Sequence, residues 1–449
     1  MHGSLVDSAR VLGVSAPATD AAFRGVSTDT RTLVKDNLFV ALNGPNFLGA
    51  DFVSAAREAG AAAAITDQPV DDALPHLVVD DTRDALGALA RDWRRRFSPQ
   101  VIGITGSNGK TTTRSLIAAC CGADTLATQG NLNNDIGVPL TLFRLDASHR
   151  RAVIEMGANH QGEIAALAAI AEPSIGIVTN AGPAHLEGFG GIDGVAKGKG
   201  ELFKALGRGD VAVINADDVY APLWREFAAP ATVRTFGSTP DADVWFDDVR
   251  LRDGGGLDFR LNVAGESAEV TLALDGRHNA MNAAGAAAAA LAAGVPLAQI
   301  VARLSTVTAE PGRQRVVAGR DGARLVDDSY NANPASMRAG AASLVAAGGR
   351  AWMVVGDMGE LGDDAVALHA ALGRDLSEAG IERLFALGPL SAATAQAFGE
   401  NAEHFEDHDT LAERVAAGLA PDVRVLVKGS RSMRMEQIVE RLRAVEETA

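Results

Sequence analysis

The sequence predicts an α/β protein of three domains, and three observations support this. The chain has 449 residues, enough for two to four domains of ordinary size. Apolar strands alternate with helical patterns over about 99 to 312, which is typical of a mainly parallel sheet covered by helices. The alternation resumes after residue 313 and indicates a second, Rossmann-like doubly wound unit. We therefore expect domains at 1–82, 83–312 and 313–449.

The first block mixes short strands with one helix. DNLFVAL, AAAAITD and HLVVDD are strand-like, and DFVSAAREAGA is helical. The segment Thr82–Phe97 has apolar residues at helical spacing and a basic end. Its arginines could attract an anion, but a solvated helix C-terminus that complements the helix dipole is the preferred interpretation.

The strands of the other two blocks are more apolar. VIGIT, RAVIEM, SIGIVTN and DVAVINA are the expected central strands. A polar interlude with period-two alternation around DGGG predicts a small antiparallel meander attached to the central domain. ARLVDD, RAWMVVGD, RLFALG and VRVLVKG are the expected strands of the last domain.

Composition excludes several classes of protein. The formal net charge of −16 argues against nucleic acid as a partner, because binding a phosphate backbone needs a basic face. The only two cysteines, Cys120 and Cys121, are adjacent on a predicted helix, which excludes a disulfide framework. The start lacks a signal pattern, and the most apolar window, near 283–297, is too short and glycine-broken to predict a membrane span. We expect a soluble, cytoplasmic protein.

The stretch VIGITGSNGKTTTRSLIAA predicts a phosphate-binding loop between a strand and a helix. It departs by one residue from the strict phosphate-loop pattern, which would place glycine where Ile104 stands. The remaining glycines still let backbone N–H groups and the helix N-terminus face phosphate oxygens. Lys110 can reach the terminal phosphates, and the hydroxyl of Thr111 or Thr112 can bind Mg²⁺.

Further polar residues follow the other central strands. Glu155 ends the apolar strand RAVIEM, and His185 lies in the loop after SIGIVTN. Because chemistry gathers at the carboxyl ends of parallel strands, these residues should share one edge with Thr111. Oxygen donors with one imidazole suit magnesium or manganese better than zinc. A structural salt bridge for Glu155 and a surface position for His185 are the alternatives.

Two other motifs are ambiguous from the residues alone. GVAKGKGELF places Lys197 and Lys199 close together, and both could be solvated surface lysines. GNLNNDIGVPLTL (Gly130–Leu142) is typical of a polar loop, and its ligand role cannot be inferred from spacing.

With these motifs in hand, the whole chain resembles the Mur ligases, ATP-dependent amide-forming enzymes of peptidoglycan synthesis. GITGSNGKTT is shared by the superfamily, which includes folylpolyglutamate synthases. GNLNNDIGVPLTL, EMGANHQGEI, AHLEGFG, DDSYNANPASM and LVKGSRSMRME resemble the branch that adds D-alanyl-D-alanine to UDP-N-acetylmuramoyl-tripeptide. The D-N-P-R motif of the branch that adds a diamino acid is absent.

The resemblance implies a function for each domain. The small α/β N-terminal domain would bind the UDP-sugar, and the central domain would be a phosphate-loop ATPase. The C-terminal domain would close over ATP and bind the incoming dipeptide. The implied product is UDP-N-acetylmuramoyl-pentapeptide, made through an acyl phosphate in the bacterial cytoplasm. A monomer is the default expectation, and diaminopimelate or lysine at the third peptide position stays open.

The resemblance also implies roles for individual residues. The catalytic set is Lys110, Glu155, His185 and Lys199. The ATP-binding set is Gly106, Ser107, Asn108, Gly109, Lys110, Thr111, Thr112, Asn279, Asn282, Arg313 and Asp328. Two magnesium ions are implied, with ligands from Thr111, Glu155, His185 and Lys199.

Lys199 is the better match to the lysine that the family carbamylates, with Lys197 as the alternative. Carbon dioxide adds only to a neutral amine, so the site must lower the pKa of this lysine. For the pair Asn279 and Asn282, a helix N-terminal cap is the alternative to contact with adenine.

The implied substrate contacts come from all three domains. They are Ser27, Arg31, Asn134, Tyr330, Asn331, Asn333, Lys428, Ser430 and Arg431. For KGSRS, which holds the last three, a charge-rich strand-to-helix turn is the alternative. The family stretch G-x-x-F-D-G-H-D-F reads GPNFLGADF here, with Leu48 for the acid and Ala50 for the histidine. That departure puts polar contacts between this loop and the sugar-nucleotide in doubt.

Two competing functions stay open at this point. A phosphate-loop regulator or motor would hydrolyse ATP without regard to small amino compounds. A sibling ligase would add glutamate or a diamino acid, and a folate-glutamylating enzyme would add glutamate.

Overall fold

The computed structural model describes residues 1–252 and 255–444. Its three-domain α/β architecture agrees with the fold class predicted from the sequence. The strands form sheets of two, four, nine and six members, and the four-, nine- and six-stranded sheets each lie within one predicted domain. The exact domain bounds stay a prediction.

The N-terminal domain is built on a four-stranded parallel sheet of order β3-β4-β5-β6. Its elements are β1 (His2–Ser4), α1 (Leu5–Leu12), β2 (Ala22–Arg24), β3 (Val26–Ser27), β4 (Leu38–Val40), a 3₁₀ turn (Gly49–Phe52), α2 (Val53–Glu58), β5 (Ala63–Thr66) and β6 (His76–Val78). The three strand-like stretches and the helix expected here are present as β4, β5, β6 and α2. The antiparallel pair β1–β2 and helix α1 were not predicted.

Helix α3 (Thr82–Arg95) connects the first domain to the central one. The Asp81 carboxylate caps its N-terminus by accepting from two backbone N–H groups, and Trp93 is buried near its end. Arg91 and Arg95 form ion pairs with Glu172. Arg94 donates to the Glu172 carbonyl at 3.0 Å and to the carbonyl before it. Arg94 therefore caps the C-terminus of the helix that ends at Ala171, because tertiary packing brings those carbonyls beside it. Arg91 and Arg95 remain exposed to solvent, as expected, although both pair with Glu172.

The central domain carries a nine-stranded sheet of order β15-β14-β13-β12-β11-β10-β7-β9-β8. Its strands are β7 (Gln100–Thr105), β8 (Thr125–Ala127), β9 (Arg151–Glu155), β10 (Ile175–Val178), β11 (Val211–Asn215), β12 (Thr232–Gly237), β13 (Val244–Leu251), β14 (Leu257–Val263) and β15 (Glu266–Leu272). Strands β7 to β13 run parallel, and β13, β14 and β15 pair antiparallel. The meander is thus confirmed as an extension of this sheet, although part of its DGGG turn lies outside the described residues.

Helices cover both faces of the central sheet. They are α4 (Lys110–Cys121), α5 (Gly137–Leu142), α6 (Glu163–Ala171), α7 (Leu186–Phe189), α8 (Ile192–Lys204), α9 (Ala221–Ala228), α10 (Arg277–Ala292) and α11 (Leu297–Leu304). The alanine-rich α10 is buried against the sheet, which explains the apolar window near 283–297. Within 1–252 and 255–444, no helix is long and apolar enough to cross a bilayer.

The C-terminal domain has a six-stranded sheet of order β16-β17-β21-β18-β19-β20. Its elements are β16 (Arg315–Ala318), β17 (Arg324–Asp328), α12 (Pro334–Ala346), β18 (Arg350–Gly356), α13 (Ala365–Glu378), β19 (Arg383–Leu387), α14 (Ser391–Phe398), β20 (Ala402–Phe405), α15 (His408–Ala416), β21 (Val423–Lys428) and α16 (Glu436–Leu442). Only β16 is antiparallel. Separate apolar clusters fill the two faces of the sheet, as expected for a doubly wound unit.

Candidate active site

The glycine-rich loop between β7 and α4 has the backbone that a phosphate cradle requires. Gly106 and Gly109 have φ of 142° and 79°, values that side-chain-bearing residues rarely adopt. A Cβ at Gly106 would collide with the Thr179 hydroxyl, and one at Gly109 would meet the Asn282 side chain. The loop is held by the segment that follows β10, the neighbouring strand in the sheet, because the Asn108 N–H donates to Asn180 Oδ1 at 3.0 Å. The N-terminus of α4 therefore opens onto a rigid, close-fitting turn.

Lys110 begins α4 and folds back over the loop. Its Nζ donates to the Gly106 carbonyl at 2.6 Å and lies 3.4 Å from the Ser107 carbonyl. Burial lowers the pKa of Lys110, Arg313 acts in the same direction, and Glu155 opposes them. The ammonium is thus bonded to loop carbonyls and is held where an anion would meet it.

A large cavity extends from this loop to the C-terminal domain. Its volume is about 1470 Å³. The predicted residues that line it are Ser107, Asn108, Gly109, Lys110, Thr111, Thr112, Asn134, Glu155, His185, Asn279, Asn282, Arg313, Asp328, Tyr330, Asn331, Asn333 and Lys428. This space, bounded by backbone N–H groups and cationic side chains, fits a nucleoside triphosphate.

Glu155 ends β9 as predicted and is 1% exposed. Its Oε1 accepts from the Thr111 hydroxyl at 3.2 Å and from the Asn133 amide at 2.8 Å. A buried carboxylate beside a hydroxyl suits a hard divalent cation, whose other ligands would be phosphate and water oxygens. Within the described part of the chain, no three His, Cys, Asp or Glu side chains gather as a metal site. The residues present therefore fit a magnesium ion held jointly with a nucleotide better than a protein-only cage.

His185 lies at the same edge but is engaged from another domain. It precedes α7 with a left-handed backbone (φ 54°). Its Nδ1 lies against the carboxylate of Glu360, a second left-handed residue, from the loop after β18. This contact lowers the pKa of Glu360. The imidazole, expected to bind metal, is thus held by a carboxylate of the C-terminal domain.

Lys199 and Lys197 have opposite environments on α8. Lys199 is 1% exposed, and its Nζ donates to the Ala158 carbonyl at 2.9 Å. Burial, with a smaller contribution from Lys110, lowers the pKa of Lys199 to about 7. Lys197 is exposed. Of the two, Lys199 is therefore the one whose lowered pKa favours the neutral amine that carbamylation needs.

The predicted asparagine pair lies on one face of α10. Asn282 donates to Asn279 Oδ1 at 2.9 Å, and Asn279 donates to the Asp275 carbonyl at 2.7 Å. Gly276 occupies the N-cap position. The alternative of a side-chain cap is therefore wrong, because Asn279 already lies within the first turn of the helix.

The C-terminal domain supplies the opposite wall of the cavity. The guanidinium of Arg313 stacks on the Tyr330 ring at 4.2 Å from its centroid. Lys428 forms an ion pair with Asp328 at 2.8 Å and donates to the Asn331 carbonyl at 2.7 Å.

A hydrogen bond joins this wall directly to the phosphate loop. Asn333 Nδ2 donates to Asn108 Oδ1 at 2.8 Å. The two halves of the site therefore contact each other.

Several predicted residues are not brought to this cavity. The Ser27 hydroxyl and the Arg31 guanidinium both bind Asp29 in their own loop. Ser430 accepts from the Gly359 N–H at 2.6 Å, and Arg431 pairs with Glu436.

Two other predicted residues act on the backbone nearby. Asn134 lines the cavity and also accepts from the Gly137 N–H at 2.9 Å, which fixes the start of α5. Gly106 does not line the cavity, and its lack of a side chain lets the loop pack against Thr179.

Some polar residues of the site were missed by sequence reasoning. Arg114, on the second turn of α4, is buried between Glu155 and Glu310. His278 lines the cavity beside Asp328, and burial lowers its pKa. The position of Arg114 one helical turn after Lys110 was the available signal, since i and i+4 share a face. Nothing in the sequence pointed to Glu310.

The comparisons with known proteins cover nearly the whole chain. Residues 22–94 match the Mur ligase family catalytic domain, 104–290 the Mur ligase middle domain, and 312–431 the Mur ligase glutamate ligase domain. The UDP-N-acetylmuramoyl-tripeptide–D-alanyl-D-alanine ligase of Escherichia coli (strain K12) is 41% identical over 438 residues, 96% of each chain.

Solved structures give the same result. A MurF crystal structure from Acinetobacter baumannii matches with a TM-score of 0.91 and 34% identity over 98% of both chains. The MurF ligase from Thermotoga maritima in complex with ADP matches with a TM-score of 0.84 and 27% identity. That match covers 93% of this chain and 96% of the other.

Proposed function

The chain belongs to the Mur ligase family, and from this premise we propose that it joins D-alanyl-D-alanine to the terminal carboxylate of UDP-N-acetylmuramoyl-tripeptide. ATP is the energy source, and the products are the UDP-linked pentapeptide, ADP and phosphate. The observation that carries the proposal is the shared cavity. A phosphate loop with Lys110 and a buried Glu155 faces the Arg313–Tyr330 wall of the last domain across space for several substrates.

The chemistry explains why ATP is needed. A carboxylate is a poor acyl donor at neutral pH, because its leaving group would be oxide. Transfer of the γ-phosphate to a carboxylate oxygen gives an acyl phosphate with a good leaving group. The dipeptide amine then attacks the carbonyl carbon, and the tetrahedral intermediate collapses to the amide and phosphate. Phosphoryl oxygens and a carboxylate must approach each other, so the site has to neutralise charge.

The chain's own residues supply part of that neutralisation. Lys110, bonded to the loop carbonyls, presents its ammonium to the terminal phosphates. Arg313, held by stacking on Tyr330, presents a second cation from the opposite wall. Loop N–H groups from Ser107 to Thr112 orient the phosphate chain, and the Asn279–Asn282 pair lies beside it for the adenine. Orientation of the reacting groups is the remaining contribution of the protein.

Thr111 and Glu155 would hold a magnesium ion, with His185 near the same edge. The bound ion would spread phosphate charge and so favour phosphoryl transfer. A protein of net charge −16 that binds anionic substrates depends on such compensation. Two ions are part of the proposal, the second bound by Lys199 as its carbamate. The burial of Lys199 and the lowered pKa of its amine support that modification.

The remaining proposed contacts with the substrates are divided among the three domains. Ser27 and Arg31 of the first domain would contact the UDP moiety, and Asn134, Asn331 and Asn333 the peptide. Lys428, Ser430 and Arg431 would bind the dipeptide or the growing peptide, although the last two lie outside the cavity in this arrangement. Since all these residues come from one chain, we propose that the monomer is active, in the bacterial cytoplasm.

The test is a comparison of acceptors. Purified protein is incubated with ATP, magnesium, UDP-N-acetylmuramoyl-tripeptide and one amine at a time: D-alanyl-D-alanine, L-glutamate or a diamino acid. Phosphate release and pentapeptide formation should require D-alanyl-D-alanine. Release driven by glutamate, or release indifferent to any amine, would contradict the proposal.

A further inference from the structure

A buried arginine lies between the candidate metal site and the linker to the C-terminal domain. The side chain of Arg114 is 5% exposed, and its guanidinium lies between two carboxylates, Glu155 and Glu310. A guanidinium so well removed from water needs such partners, because an unpaired buried charge is costly. The two carboxylates are far apart in the sequence and are joined through this arginine.

On the Glu155 side, the arginine fixes which oxygen faces the phosphate loop. Arg114 Nη1 lies 3.3 Å from Oε2 and also donates to the Gly130 carbonyl at 3.1 Å. The other oxygen, Oε1, is left to the Thr111 hydroxyl and the Asn133 amide. The carboxylate is therefore oriented with one oxygen neutralised and the other beside the hydroxyl that would share a cation with it.

On the other side, the arginine holds the linker between α11 and β16. Glu310 Oε1 accepts from Arg114 Nη2 and from the Ser115 hydroxyl. The Glu310 carbonyl accepts from the Arg313 N–H at 3.1 Å, which closes a turn. The side chain of Arg313 then stacks on Tyr330 in the far wall of the cavity.

We propose that Arg114 is a positioning residue shared by Glu155 and Glu310, so that Glu310 sets how readily Glu155 binds a divalent cation. The proposal rests on the proposed function only in taking Glu155 as the metal-binding carboxylate. The Glu310 carboxylate is bonded to Arg114 and Ser115, and it acts on Glu155 through the guanidinium.

The direction of the effect follows from charge balance. In the wild type, the guanidinium of Arg114 contacts two carboxylates, Glu155 and Glu310. When the Glu310 carboxylate is replaced by an uncharged group, the guanidinium is balanced by Glu155 alone and competes more strongly with a cation for that carboxylate. Removing the Glu310 charge should thus weaken cation binding although the metal-binding residues are untouched.

The test measures ADP affinity of the full-length protein by calorimetry, with Mg²⁺ and with EDTA. The ratio of the two affinities isolates the metal contribution. Glu310→Gln, which keeps the size of the side chain, should lower this ratio about tenfold, the size typical of losing a group behind a metal ligand. Glu310→Ala should lower it in the same direction. A general structural effect would lower both affinities together and leave their ratio unchanged.

Glu382→Gln is the matched control, because Glu382 pairs with Arg350 at 2.7 Å, away from the cavity in the C-terminal domain. Its ratio should equal that of the wild type. An unchanged ratio in both Glu310 variants, an equal fall in the control, or no Mg²⁺ enhancement in the wild type would overturn the proposal. Since no acyl donor or amine is present, failure here leaves the acceptor experiment to decide the proposed function.

Discussion

The phosphate loop and the N-terminal loop around Arg31 are both expected to bind parts of a nucleotide, yet they are built differently. At the phosphate loop, polar side chains are joined to residues far away in sequence, as in the contact of Asn108 with Asn333. At the N-terminal loop, Arg31 is exposed and bonds Asp29, two residues before it. The first site is therefore preset by the whole fold, whereas the second is held by local contacts that a ligand can replace.

The largest effect is expected at the preset site. Lys110→Ala should abolish turnover, because the ammonium beside the loop carbonyls would no longer meet the terminal phosphates. Phosphate release with all three substrates measures the loss, and the melting temperature without ligand checks that the protein is folded. If the folded variant is as active as the wild type, this loop is not the one that binds the phosphates of ATP.

A second large effect separates the two lysines of α8. Lys199→Ala should reduce turnover about 100-fold, the upper range for losing a group that supports a metal, and Lys197→Ala should retain full activity. Lys199 is buried and Lys197 exposed, so the exposed lysine is the matched control. Native mass spectrometry at raised bicarbonate should find an added carboxyl group on the wild type and on Lys197→Ala only. If Lys197→Ala instead loses both its activity and the added carboxyl group, Lys197 is the carbamylated lysine and the assignment to Lys199 is wrong.

A smaller and more selective effect is expected at the locally built site. Arg31→Ala should raise the KM for the UDP-linked substrate about tenfold, the value of one charge-assisted hydrogen bond. The KM for ATP should not change. Arg10→Ala, which breaks a similar exposed pair with Asp7 in the same domain, is the control and should change neither KM. If the KM values for ATP and for the UDP-linked substrate rise together, the two regions are not independent.

A further effect concerns the pH dependence of stability and needs no substrate. The pKa of Lys199 falls from an ordinary 10.5 to about 7 in the fold. Between these values the unfolded chain binds more protons than the folded one, so the free energy of unfolding rises with pH. The gain has a limit of about 1.4 kcal/mol per pH unit.

Denaturant unfolding of the wild type and of Lys199→Met, in buffers free of carbon dioxide, measures this slope from about pH 7 to 9, within the interval that the two pKa values bound. The wild type should gain stability relative to the variant over that interval. Parallel profiles would mean that the buried amine keeps an ordinary pKa, and carbamylation would then lack its physical basis.

Much of the fold and part of the site could be predicted from the sequence. Strands such as β7 and β9 are long apolar runs, and the glycine-rich loop and Glu155 follow directly from where those runs end. These features depend on residues close together in the chain. The polar edge of the central sheet is therefore predictable in outline from local sequence alone.

The features that could not be predicted join distant segments. Arg114 meets Glu310 across 196 positions, and His185 meets Glu360 from a different domain. The arginines at the end of α3 contact Glu172, which is also far away in sequence. The spacing of residues along the sequence does not predict such pairings, because they depend on how distant elements pack within and between domains.

The most direct test of the proposed chemistry follows the oxygen atoms of the donor carboxylate. UDP-N-acetylmuramoyl-tripeptide with ¹⁸O in its terminal carboxylate is incubated with ATP, magnesium, D-alanyl-D-alanine and the wild-type protein. If the carboxylate is phosphorylated before the amine attacks, each phosphate released carries one ¹⁸O atom, and the pentapeptide amide keeps the other. Unlabelled phosphate released together with pentapeptide would contradict the acyl-phosphate route and the role assigned to the cavity.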